Sequence, residues 1–156
     1  MRKRSKKIQK ADEESKKFII YLLANDETHG IDIDSIYFTR NGWIIFEFLK
    51  CDTVDPYDSH PNRYPFNWRK FATLFELSKK LEGKLILINY SKKEEWKNHI
   101  KMMHVKGINY DNVKNLSRNE LNHYISYLET EDKTMNLDEF KNYFKNLNND
   151  AIEPWE

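Results

Sequence analysis

Asp32-Ile33-Asp34-Ser35-Ile36-Tyr37-Phe38-Thr39-Arg40-Asn41-Gly42-Trp43-Ile44-Ile45-Phe46-Glu47-Phe48-Leu49-Lys50 is the stretch whose reading decides the fold. Two β-rich runs flank Asn41-Gly42. That dipeptide is a strong hairpin signal, because a tight two-residue turn needs positive φ at both central positions. With Asn41 and Gly42 in the turn, Arg40 is expected opposite Trp43, Ile36 opposite Glu47 and Asp34 opposite Leu49. Paired residues share a face of the sheet, and so do alternate residues of one strand. Asp34 and Glu47 then lie on one face as diagonal neighbours, with Asp32 on the same side. A slip of one residue would separate them.

Both faces of this hairpin are otherwise largely apolar. Ile36, Phe38, Ile45 and Leu49 accompany the acids; Ile33, Tyr37, Ile44, Phe46 and Phe48 lie opposite. Such a strand pair belongs in a sheet covered by helices on both sides. Carboxylates placed there need a partner. Three arrangements satisfy them: a bound cation, a salt bridge to Lys or Arg, or a strand end that reaches water. A site of oxygen ligands alone suits Mg²⁺ or Mn²⁺.

Outside the hairpin, the first helix is expected from about Lys10 to Ala24, with Phe18, Ile19, Leu22 and Leu23 as its apolar stripe. Cys51 to Phe66 reads as a long loop held by Pro56, Pro61 and Pro65. Asn67 is the expected N-cap of a helix over Trp68 to Glu82, closed by Gly83. Leu85 to Tyr90 is a short apolar run that reads as a buried central strand. The order α-β-β-α-β indicates an α/β fold, a mixed β-sheet flanked by helices. Ser91-Lys92-Lys93-Glu94 has the pattern of a capping box opening a short helix, and His99 to Lys106 reads as a further strand. Two more capping boxes, at Ser117 and Asn136, predict a C-terminal helical pair. The first helix of that pair would bury Leu121, Tyr124, Ile125 and Leu128, and the second Phe140, Tyr143, Phe144 and Leu147. The domain plan is a basic arm over residues 1–10, an α/β core over 11–110 and a helical extension over 111–156 packed on the same domain.

The chain has 156 residues, enough for one domain with a sizeable core, and a net charge of +1. No global attraction to nucleic acid follows from that balance. The basic residues are unevenly placed, however: Arg2, Lys3, Arg4, Lys6, Lys7 and Lys10 form an arm that could track a phosphate backbone or simply be solvated. Cys51 is the only cysteine, which excludes an intrachain disulfide and fits a reducing, cytoplasmic setting. No apolar run is long enough for a membrane span, and the basic start has no apolar segment behind it. The histidines and Cys51 show no zinc-like pairs, and Asp132 to Phe140 lacks the central glycine of a calcium-binding loop.

The residues from about 10 to 90 resemble the PD-(D/E)XK nuclease superfamily, the restriction-endonuclease-like and resolvase-like enzymes. Their shared core is a helix, a hairpin carrying Asp and then Glu-x-Lys, a second helix and another strand. Asp34 matches the first-strand acid and Glu47 the second. The resemblance implies Mg²⁺ or Mn²⁺ held by Asp34 and Glu47, with Asp32 and Glu14 as further candidate ligands. It implies phosphodiester cleavage, of DNA ahead of RNA, and the possibility of a homodimer. It also implies a lysine two positions after Glu47, where this chain has Leu49. Two residues could fill that role. Lys50 would face the acids if a β-bulge turned it back. Lys70, in the first turn of the following helix, could reach in from above. If neither does, the chain keeps the fold as a non-catalytic nucleic-acid-binding or assembly protein. His60, Asn62, Arg63, Tyr64 and Arg69, in and just after the long loop, are the expected substrate contacts, because Arg and Tyr can hold phosphate and stack on bases. The same residues could equally anchor a rigid loop on the core.

Overall fold

The computed structural model describes residues 12–24, 26–151 and 153–155. The basic arm expected at residues 1–10 lies outside them. The chain divides into two compact units, Met1–Ile31 and Asp32–Glu156. The first contains helix α1, Asp12–Leu23, close to its expected bounds. Its Phe18, Ile19, Ile20, Tyr21 and Leu22 are all exposed.

The second unit is built on a five-stranded sheet. Its strands are β1 (Ser35–Thr39), β2 (Gly42–Lys50), β3 (Lys84–Tyr90), β4 (His99–Ile108) and β5 (Leu128–Asn136), in that spatial order. The β1–β2, β3–β4 and β4–β5 pairs are antiparallel; β2 and β3 are parallel. A parallel pair needs a crossover, supplied here by helix α2 (Trp68–Lys80). Helix α3 (Leu137–Asp150) follows β5 directly. The fold is thus α/β with a mixed sheet and helices on both faces.

Side-chain alternation sorts the core into two layers. Phe46, Ile86, Ile88, Ile100 and Met135 pack with Phe140 and Leu147 of α3 on one face. Ile45, Leu85, Leu87 and Met103 point the other way and are fully buried. There α2 contributes Phe71, Ala72 and Leu74. β3 is the central strand, as its apolar run predicts. The hairpin, in contrast, sits at the sheet edge, and Ile36 on β1 is 44% exposed.

Four expectations change. The hairpin turn is centred on Arg40-Asn41, with Thr39 opposite Gly42, so the register moves by two. Gly42 at φ 110° begins β2 instead of sitting in the turn. The Thr39 hydroxyl accepts from the Asn41 amide (3.2 Å) and donates to the Gly42 carbonyl (2.9 Å), which holds this two-residue turn. Asn67 stands at the start of α2 without a capping bond, because the 3-10 turn Pro65–Asn67 runs straight into the helix. The box at Ser91 makes only a turn: its hydroxyl accepts from Lys93 N at 3.2 Å, and no helix follows. The helical pair is replaced by the strand β5 and α3 alone. Ser117 nucleates only the 3-10 turn Glu120–Asn122, and Tyr124 is 65% exposed. The third box, at Asn136, is fully formed.

Candidate functional site

The corrected register brings the two acids closer together than expected. One step beyond the last assigned pair, Ser35–Phe46, Asp34 lies opposite Glu47. A shift of two leaves every side chain on its own face, so the acids remain together. Asp34 is exposed, and its Oδ2 accepts from the Phe48 amide at 2.8 Å. Glu47 is 1% exposed.

The lysine that meets Glu47 comes from α2. Lys70 Nζ makes an ion pair with Glu47 Oε1. Lys50 does not take part. β2 pairs with β3 without a break from Ile44 to Lys50, so there is no bulge to swing Lys50 round. It lies on the opposite face from Glu47, is exposed, and pairs with Asp52 at 3.6 Å.

Glu47 is incompletely satisfied. Its Oε2 is buried with no hydrogen-bond partner among the described residues. Burial raises its pKa, Lys70 pulls it down, and the Asp34 charge pushes it up; the net direction is upward. A second oxygen in the same state lies on the adjacent strand. Asn89, paired with Leu49, shares this face, and its amide nitrogen donates to the carbonyls of Pro56 (3.1 Å) and Ser59 (2.7 Å). Its Oδ1 is left without a partner. The sequence marks Asn89 only as a lone polar residue in an apolar run.

No group of three or more His, Cys, Asp or Glu is arranged for a metal among the described residues. Two carboxylates with oxygen donors still fit Mg²⁺ or Mn²⁺, which bind through one or two carboxylates and complete their shell with water and phosphate. Zinc-type ligation does not fit. Asp32 is exposed just before β1. Glu14 belongs to the other unit, where it pairs with Lys17 at 3.4 Å.

Several expected substrate contacts prove to be anchors. Asn62 is 5% exposed. Its Oδ1 accepts from the amides of Tyr127 (3.2 Å) and Leu128 (2.9 Å), and its Nδ2 donates to the Leu128 carbonyl (3.2 Å). His60 accepts the Asn62 amide on Nδ1 and meets the Thr130 hydroxyl through Nε2 at 2.9 Å. Thr130 in turn donates to Asp132 at 2.6 Å. Burial lowers the His60 pKa, which favours the neutral ring. Burial pushes the Tyr64 hydroxyl well above its ordinary pKa, and its ring packs near Phe71. These three residues face the core because the loop must satisfy buried polar groups where it crosses the sheet. Arg63 and Arg69 are exposed and remain available to a ligand.

No described helix is long and apolar enough to cross a membrane. Comparison with protein-family models, with curated proteins and with solved structures finds no significant match.

Proposed function

We propose that this protein is a metal-dependent nuclease with a restriction-endonuclease-like core of the PD-(D/E)XK type, acting on DNA ahead of RNA. The observation that carries this reading is Glu47: a buried carboxylate, opposite Asp34, with Lys70 on one oxygen and nothing on the other. Burying a carboxylate oxygen without a partner is costly, and a bound cation would offset that cost.

In this reading Asp34 and Glu47 hold Mg²⁺ or Mn²⁺. The ion supplies charge neutralisation and a more acidic water. Lys70 lies 39% exposed beside Glu47, so its ammonium group can face both the carboxylate and solvent. There it orients the attacking water or stabilises the phosphate as charge builds. Hydrolysis joins the water oxygen to phosphorus and breaks one P–O ester bond, and the departing oxygen takes up a proton. Asn89 braces the loop behind the site through Pro56 and Ser59.

A second reading has one observation in its favour. Lys70 already neutralises Glu47, as in a structural ion pair, and Asp34 already accepts from the Phe48 amide. In that case the chain binds nucleic acid or assembles with a partner and does not cut.

Cleavage of single-stranded, double-stranded and branched DNA with and without Mg²⁺ separates the two. Wild type should cut only with the metal, and Asp34→Ala, Glu47→Ala and Lys70→Ala should each abolish cutting. Cleavage surviving both acid substitutions would sink the nuclease reading; binding without cleavage would favour the second.

A further inference from the structure

The N-terminal end of α2 carries a second feature besides Lys70. The guanidinium of Arg118 lies over the Phe66 ring, 5.0 Å from its centroid. That of Arg69 lies over Trp68 at 5.6 Å. Phe66 is 48% exposed, and both arginines are exposed. Neither arginine has a carboxylate within ion-pair distance among the described residues, although Glu120 is only two positions from Arg118.

This surface is fixed in place. Leu121 is 8% exposed and anchors the segment that carries Arg118. The Leu121 amide donates to the Ser117 carbonyl at 3.1 Å, and the Ile125 amide to the Asn62 carbonyl at 2.9 Å. The turn Pro65–Asn67 runs directly into α2, so Phe66 stands four residues before Lys70 in the chain.

An arginine stacked on a ring and lacking a carboxylate retains its full charge and its outer N–H groups. The exposed ring offers a flat apolar face beside that charge. An unpaired nucleotide has the complement of both: a base to stack and a phosphate to pair. In a duplex the base faces are already stacked, so the ring would have nothing to receive.

We propose that the Phe66–Arg118 stack forms a platform for unpaired nucleotides of a single-stranded nucleic acid. Its connection to catalysis rests on the nuclease reading of the Asp34–Glu47–Lys70 site; the binding itself does not. A strand held on the platform would lie at the turn that leads into the helix carrying Lys70.

The test measures binding of a fluorescent mixed-sequence single strand, and of the matching duplex, by the full chain in EDTA over a range of salt. Wild type should prefer the single strand. Phe66→Ala should weaken that binding roughly tenfold and leave the salt slope unchanged, because a stacking contact is lost. Arg118→Ala should also reduce the slope by about 0.7, the loss of one neutralised phosphate. Arg118→Lys should restore the slope but only part of the affinity, since the planar stack is gone. Thermal unfolding of each variant verifies that the fold is kept. No single-strand binding by wild type overturns the platform. So does unchanged affinity in Phe66→Ala and Arg118→Ala, or an equal loss on the duplex. If wild type never cleaves and these variants still lose single-strand binding, the nuclease reading fails and the platform stands.

Discussion

Lys70 reaches Glu47 from the first turn of α2, and the two partners are unequally buried: Glu47 is 2% exposed at its side chain and Lys70 39%. The asymmetry decides what each substitution should do. Lys70→Met leaves a buried carboxylate with no cation. Breaking a fully buried pair costs about 3–5 kcal/mol, and the exposure of Lys70 reduces this to about 2 kcal/mol. Glu47→Gln leaves only a half-exposed lysine, which water can solvate. Its stability at neutral pH should equal or exceed wild type, as happens when a strained functional group is removed. Both variants should lose cleavage. Chemical denaturation measures the contrast, and a Glu47→Gln protein less stable than Lys70→Met would refute it.

The raised pKa of Glu47 sets opposite pH trends for stability and activity. Its ordinary value is 4.5, and burial is the largest cause of the rise. Between that value and the raised one, the native state holds a proton that the unfolded chain has already lost. Stability contributed by this group is therefore present at low pH and falls as pH rises through that window. Activity should run the other way, since a protonated Glu47 cannot hold a cation. Unfolding of wild type and Glu47→Gln across pH should show their difference growing in favour of Glu47→Gln as pH rises. A constant difference would mean that Glu47 titrates normally.

The acid pair was legible in the sequence because side-chain alternation is insensitive to an even register shift. Moving the turn from Asn41-Gly42 to Arg40-Asn41 displaced the pairing by two and left Asp34 and Glu47 on one face. Lys70 was legible as one of two candidates, and only the unbroken β2–β3 ladder excludes Lys50. β5 was not legible. Leu128-Glu129-Thr130-Glu131-Asp132-Lys133-Thr134 has almost no apolar alternation, because it is an edge strand whose charges face water. The anchoring roles of His60 and Asn62 were hidden for a related reason. Their partners lie on β5 or at the residue just before it, so a reading that lacked the strand could not assign them.

Asn62 should therefore matter for folding more than for substrate. It satisfies three backbone groups where β5 begins. Asn62→Ala should cost about 2 kcal/mol by orphaning buried amides. Asn62→Asp should also destabilise, because it sets a buried charge against the Leu128 carbonyl, although its carboxylate still accepts from both amides. Hydrogen exchange at the Leu128 amide should accelerate in Asn62→Ala. Wild-type protection in Asn62→Ala would show that water replaces the side chain without loss.

The end of α2 gives a prediction in which neighbouring positions respond in opposite directions. Glu82 occupies the left-handed conformation, φ 53°, that glycine favours after a helix. Gly83 has no such requirement but stands against β2: an added Cβ would meet the Trp43 carbonyl oxygen at 2.3 Å and its Cβ at 2.8 Å. The glycine is placed for the close approach, and Glu82 bears the conformational strain instead. Glu82→Gly should raise stability by about 1 kcal/mol and leave cleavage unchanged. Gly83→Ala should lower it by about 3 kcal/mol, because the obstruction is backbone and cannot rotate away. It should also reduce cleavage, since the displaced strand is the one that carries Glu47. Thermal unfolding of the two variants side by side measures the effect. A Gly83→Ala protein as stable and as active as wild type would show that β2 can move away from β3 without disturbing the acid pair.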